Sequence, residues 1–171
     1  MSAAPPSYSA SAAQQPPAGL RVPCSSQQPP SQELLGPAPL SDKGGTPVWV
    51  CSAIIVSANG QQSVHPAKFA HGKCMYSYGG AEKHHQGRFD ILPLTSAMEW
   101  VPAKYGEVPK GRRPVEGGFE GAGHLYHALA EIEEGVRVPG KTGGHLHGAN
   151  FPWAGGEHIR EVGYDILCWK Q

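Results

Sequence analysis

The chain carries nine histidines, and several stand at spacings that could hold a metal ion. His145 and His147 are two apart, so on a strand they would face the same way, as two ligands must. His84-His85 and His124-x-x-His127 are the other pairs. A cupin-like centre needs a glutamate a few residues beyond the second histidine. The next acid after His147 is Glu157, ten residues on, so that pattern fails. A same-face pair without further ligands reads as a polar strand face, and neither a metal nor another cofactor is expected. Nucleophile chemistry has no better footing: there is no G-x-S-x-G, no phosphate-cradling G-x-x-x-x-G-K-[ST] and no convincing acid pair. The expected class is a non-enzyme. Glu82 and Glu157 stand beside Gly-Gly pairs, where a carboxylate accepts backbone N–H bonds within the turn.

The elements that must position such groups are short strands. Runs at 48–56, 73–78, 89–94, 125–132, 145–151 and 164–169 are rich in β-branched and aromatic residues. Gly-Gly pairs at 79/80, 117/118, 143/144 and 155/156 separate them. No stretch holds a helical period over twelve residues, so the predicted fold is all-β and sandwich-like. Basic and acidic residues balance at 14 each, which gives no reason to expect nucleic acid or an acidic membrane as partner. No apolar run is long enough to span a membrane. The four cysteines, Cys24, Cys51, Cys74 and Cys168, show no C-x-x-C spacing. With no secretory leader legible at the N terminus, they read as reduced thiols of a cytoplasmic protein; the alternative is a disulfide-bearing exported protein, and unconventional secretion stays open.

Residues 1–46 differ in texture. They hold nine of the 17 prolines and only four charged residues, and are expected to form a disordered tail ahead of a domain at 47–171. Within the tail, Pro5-Pro6-Ser7-Tyr8 fits the P-P-x-Y pattern that WW domains bind through a polyproline II turn.

The domain repeats itself. Tyr-Ser-Tyr-Gly-Gly-Ala-Glu at 76–82 and Phe-Asp-Ile-Leu at 89–92 return as Phe-Pro-Trp-Ala-Gly-Gly-Glu at 151–157 and Tyr-Asp-Ile-Leu at 164–167. Pro66-Ala67-Lys68 aligns with Pro139-Gly140-Lys141 when two compensating gaps are placed at turns. Each copy is one supersecondary unit that needs its twin to bury an apolar face. Repeat one spans about 47–95 and repeat two about 98–171. The second has an additional head from Trp100 to Glu120, for which the first shows no clear counterpart. Trp153, Tyr78, Trp100 and Tyr164 are expected in the core.

In order, Trp100, Gly106, Pro109, Gly118-Phe119-Glu120, Leu125-Tyr126, Pro139-Gly140-Lys141, Gly155, Glu157-His158 and Tyr164-Asp165-Ile166-Leu167 resemble the DM-nine repeat, also found in natterin-like proteins. The resemblance covers the chain from Val48 to the C terminus. It implies two interlocked repeats in one compact β domain, carbohydrate recognition with mannose-type sugars as ligand, and homodimers. It also implies a site: the acid closing the Gly-rich head, Glu120, and the lysine closing the Pro-Gly-Lys turn, Lys141. Here the acid is Glu where Asp is usual, one methylene longer. The alternative reading of the pair is a surface glutamate and a turn lysine. Lys68 is the weaker equivalent in repeat one, since Ala67 replaces the turn glycine and no acid matches Glu120. At most one competent sugar site per chain is therefore expected. A second functional reading, of another class, is a cytosolic scaffold or adaptor whose tail recruits WW-domain partners through Pro5, Pro6 and Tyr8.

Overall fold

The computed structural model describes residues 16–171; Pro5, Pro6 and Tyr8 lie outside the described residues. A strand, Val22–Ser25 (β1), a one-turn helix, Gln32–Leu35 (α1), and a two-residue strand, Leu40–Ser41 (β2), come first. The first repeat then supplies Pro47–Val56 (β3), Gln62–Ala70 (β4), Lys73–Tyr78 (β5), Ala81–His85 (β6) and Arg88–Leu92 (β7). Met98–Ala103 (β8), Arg113–Pro114 (β9) and Glu116–Glu120 (β10) form the head of the second repeat. Its body is Gly123–Glu133 (β11), Val136–Gly143 (β12), Gly148–Trp153 (β13), Gly156–Arg160 (β14) and Tyr164–Trp169 (β15).

The strand order is a palindrome. It runs β1-β7-β3-β4-β5-β6 and then β14-β13-β12-β11-β15-β8, so corresponding strands lie at mirrored places about the β6–β14 junction. The longest ladder, β3 with β4, pairs antiparallel from Val48↔Ala70 to Val56↔Gln62. It turns at Gly60, whose φ of 81° is a conformation glycine adopts without strain. At the junction the two copies grip each other reciprocally. Gly80 N donates to Glu157 Oε1 and Gly155 N to Glu82 Oε1, both at 3.2 Å. The backbones cross the same way, Glu82 N to Gly155 O and Glu157 N to Gly80 O. The two glutamates thus accept turn N–H groups as their position beside glycine implied, but each serves the other repeat's turn.

The doubled aromatic-Asp-Ile-Leu motif is explained by burial on two faces. Phe89 and Ile91 enter the core of repeat one, with Trp49, Cys51 and Phe69. Tyr164 enters that of repeat two, with Ala128, Val138 and Phe151. Leu92 and Leu167 point the other way, into a third cluster with Val50, Met98, Val115 and Trp169. This cluster joins the two ends of the strand order, so the sheet curls into a barrel-like closed domain. The all-β, interlocked-repeat fold is the one the sequence predicted.

Two expectations are displaced. The boundary drawn at residue 46 moves toward the N terminus, because residues 16–46 are built into the domain. β1 pairs with β7, Cys24 and Leu35 are buried in the repeat-one core, and Arg21 is pinned between the two repeats. Its guanidinium donates to Ser52 Oγ (2.9 Å) and Glu116 O (2.7 Å) and contacts His127 Nε2 (3.0 Å). Burial lowers the Arg21 pKa to about 10, with Asp90 opposing. Nor is repeat one headless: β1 flanks β7 as β8 flanks β15, and β2 pairs with β3 as β10 pairs with β11. Four residues of β1 and two of β2 suffice because edge pairing runs through the backbone and leaves no required side-chain pattern.

The four cysteines are unbridged and buried. Among the described residues no helix is long and apolar enough to cross a membrane.

Candidate functional site

The last strand of the second head, β10, pairs with its own β11 and also reaches β4 of repeat one. Gly118 of β10 approaches β4 so closely that a Cβ there would fall 2.0 Å from Val64 O, and Phe119 pairs with Val64. Glu120, one residue on, is thereby delivered to repeat one. It enters a cleft of about 420 Å³ whose lining includes Gln61, Ser63, His65, Tyr76, Tyr78 and Gly121. The cleft is therefore made by both copies: the acid comes from repeat two, and the wall from repeat one.

Lys141 reaches the same place from β12. Its Nζ lies 3.1 Å from His65 Nδ1 and 5.4 Å from the centre of the Tyr78 ring. Lys141 is only 2% exposed, so it stands behind His65 rather than in the cleft lining. Burial lowers its pKa, and Glu120 and Glu157 oppose that shift. An ammonium can only donate, so His65 Nδ1 is the acceptor and Nε2 carries the ring proton. That N–H faces Ser63 Oγ at 3.1 Å and Glu120 Oε2 at 4.0 Å. Burial, reinforced by Lys141, pushes the His65 pKa down to about 4; Glu120 acts against the shift, and His65 is neutral at pH 7. The other carboxylate oxygen, Glu120 Oε1, is 2.6 Å from His145 Nε2. The result is a chain Lys141–His65–Glu120–His145. The fixed N–H of His65 and the second oxygen of Glu120 meet across a gap too long for a direct hydrogen bond.

The pseudo-equivalent place in repeat one has the same plan and no room. Lys68 occupies the position of Lys141, Trp153 that of Tyr78, and Asp42, just past β2, that of Glu120. Val136 and Val138 stand where the first cleft has Ser63 and His65. These side chains surround a space of only about 10 Å³. The Lys68 ammonium is already engaged, 2.7 Å from Pro152 O, 2.9 Å from Glu82 Oε2 and 5.0 Å from the Trp153 ring centre. Lys68 therefore acts as a strut between repeats.

Glu120 and Lys141 are brought together, linked through His65; Lys68 lies elsewhere, in the closed copy. An acid does match Glu120 in repeat one after all, and it is Asp42. Tyr78 is 50% exposed and forms part of the cleft, whereas the core was expected to hold it. Tyr164 is in the core, its hydroxyl accepting from Gly106 N at 2.9 Å; Trp100 and Trp153 are partly buried. The strand expected at 145–151 begins only at Gly148. His145 lies in a 3-10 turn, Gly144–Leu146, and His147 follows in a left-handed conformation, so the two do not share a strand face. His65 and Ser63 were missed. Their signal lies in the repeat alignment, which sets polar residues against Val136 and Val138 at two otherwise apolar positions. No group of three or more His, Cys, Asp or Glu side chains among the described residues is arranged to hold a metal ion.

A family model for the DM9 repeat matches residues 42–169. The crystal structure of the nematode sperm cell motility protein MFP2B is similar in fold, with a TM-score of 0.57 at 18% identity. The match covers 88% of this chain and 45% of that one, so the chain spans less than half the length of that relative. A comparison with curated proteins finds no match.

Proposed function

Because the chain belongs to the DM9 repeat family, we propose that it is a carbohydrate-recognition protein, binding a mannose-type sugar in the Glu120 cleft without transforming it. Family membership supports the lectin-like part of this reading. The observation that carries the site is the opposition of Glu120 Oε2 to the His65 Nε2–H at 4.0 Å. Glu120 Oε2 can accept from one sugar hydroxyl, and Ser63 Oγ, which takes up the N–H of the buried His65 at 3.1 Å, can donate to its neighbour. The exposed Tyr78 ring beside them offers the apolar surface on which a sugar's C–H face can stack. Lys141 is a positioning residue in this reading: it fixes the His65 tautomer and thereby aims the N–H. The closed Lys68 counterpart limits each chain to one site.

Calorimetric titration with methyl α-mannoside tests the reading. One site per chain is expected, with affinity in the ordinary range of about millimolar to micromolar for a shallow, wet sugar site. Glu120→Gln keeps the size of the side chain and removes its charge, and it should weaken binding about tenfold or more, as loss of a charge-assisted hydrogen bond does. Two equivalent sites per chain, or unchanged affinity in Glu120→Gln, would count against it.

A further inference from the structure

The Glu120 cleft has a neighbour. Beyond the turn that joins β10 to β11 lies an open groove of about 590 Å³, lined among others by Tyr105, Val108, His124, Tyr126, His145 and His147. The two hollows share one partition. Gly121 faces the cleft and Ala122 the groove, and the Glu120–His145 contact of 2.6 Å closes the wall between them. A ligand hydroxyl bonded to Glu120 therefore sits at the border of both.

The groove is built at some energetic cost. Four non-glycine residues among those described have positive φ, and two of them, Tyr105 (55°) and His147 (54°), line it. A tyrosine in the left-handed region is strained and persists only where its surroundings hold it. Here Tyr105 N donates to Glu161 O at 2.7 Å. The following residue, Gly106, packs so tightly on the Gly143 backbone that a Cβ would fall 2.3 Å from Gly143 O. These contacts fix the backbone while the ring stays 49% exposed and Val108 stays 36% exposed. The ring meets the Lys104 ammonium, 5.7 Å from its centre, rather than the core. An exposed aromatic face on a fixed backbone, apolar neighbours and hydrogen-bonding imidazoles are the chemistry that holds a pyranose ring.

We propose that the cleft and the groove form one extended site for an oligosaccharide, with the terminal mannose-type residue at Glu120 and the penultimate residue against Tyr105. This rests on the sugar-binding reading of the Glu120 cleft and names the ligand class of that same site. It accounts for the partition being a carboxylate–imidazole pair, since groups at the border can bond hydroxyls of both residues.

The test compares methyl α-mannoside with linear α-mannotriose by calorimetry, for the full chain and for Tyr105→Ala. The triose should bind about tenfold tighter than the monosaccharide, a gain typical of one added stacked residue. Tyr105→Ala should abolish most of that ratio and leave monosaccharide affinity unchanged. Equal affinity for both sugars in the wild type, or an equal loss for both in the variant, would overturn the extended site while leaving the Glu120 reading intact. Binding of neither sugar would overturn both. Circular dichroism on the variant verifies the fold, and Tyr105→Phe, which retains the ring, should restore the ratio.

Discussion

Acidification should destabilise the protein through His65, by an amount the structure sets. In the unfolded chain this histidine titrates at its ordinary 6.5, and in the fold burial and Lys141 hold it at about 4. The folded state therefore keeps the ring neutral while the unfolded state takes up a proton as the pH drops below 6.5. The stability contribution is fully present above 6.5 and is lost as pH falls toward about 4. At about 1.4 kcal/mol per pH unit, the loss by pH 4 is about 3 kcal/mol, a sizeable share of the roughly 5–15 kcal/mol of a typical domain. His127, fully buried beside Arg21, is shifted in the same direction, and carboxylates titrate as well. The His65 part must therefore be isolated. Urea unfolding of wild type and His65→Asn between pH 7.5 and 4 does so, because His127 and the acids remain in both. The wild type should lose about 3 kcal/mol more than the variant over that interval. Lys141→Met should raise the His65 pKa, read from its ring proton shift in NMR. Parallel stability curves, or a wild-type His65 titrating near 6.5, would refute the electrostatic account of the site.

Three other outcomes follow from the packing. Gly118→Ala forces a methyl against Val64 O, 2.0 Å away; it should cost about 1–3 kcal/mol or more, and an unchanged midpoint in thermal unfolding would contradict the close approach. Lys68→Met leaves Glu82 without the ammonium 2.9 Å away and should cost about 3–5 kcal/mol, part of which Lys68→Met/Glu82→Gln recovers; equal stability of single and double variants would remove Lys68 as a strut. A fragment of residues 47–171 lacks Arg21, Cys24 and Leu35 and should unfold without cooperativity, whereas residues 16–171 should unfold in one transition; cooperative unfolding of the shorter piece would restore the boundary at 46.

The repeat architecture was legible because its defining strand is buried on two faces. Adjacent Ile91 and Leu92, like Ile166 and Leu167, are essentially inaccessible, so neither apolar position tolerates a polar residue and the motif survives in both copies. The head of repeat one was not legible. β1 and β2 contribute edge hydrogen bonds and few buried side chains, and a Pro- and Ser-rich composition hides such short strands. Glu120 and Lys141 came from the resemblance, and the fold brings them to one place. His65 escaped because it belongs to the other copy: it lies 76 residues from Lys141, and no local spacing joins them. Tyr78 was misplaced because its alternation with Ser77 favours burial of the serine, which is 1% exposed, and the end of β5 leaves the ring in the cleft.

The most direct test of the Glu120 cleft as the sugar site is an amide and side-chain NMR titration with methyl α-mannoside. The account predicts saturable shifts at Ser63, His65, Tyr78, Glu120 and Gly121, with one sugar per chain and the Lys68–Trp153 region unchanged. Shifts confined to Lys68, Asp42 and Trp153, or no shift at either place at saturating sugar, would contradict it.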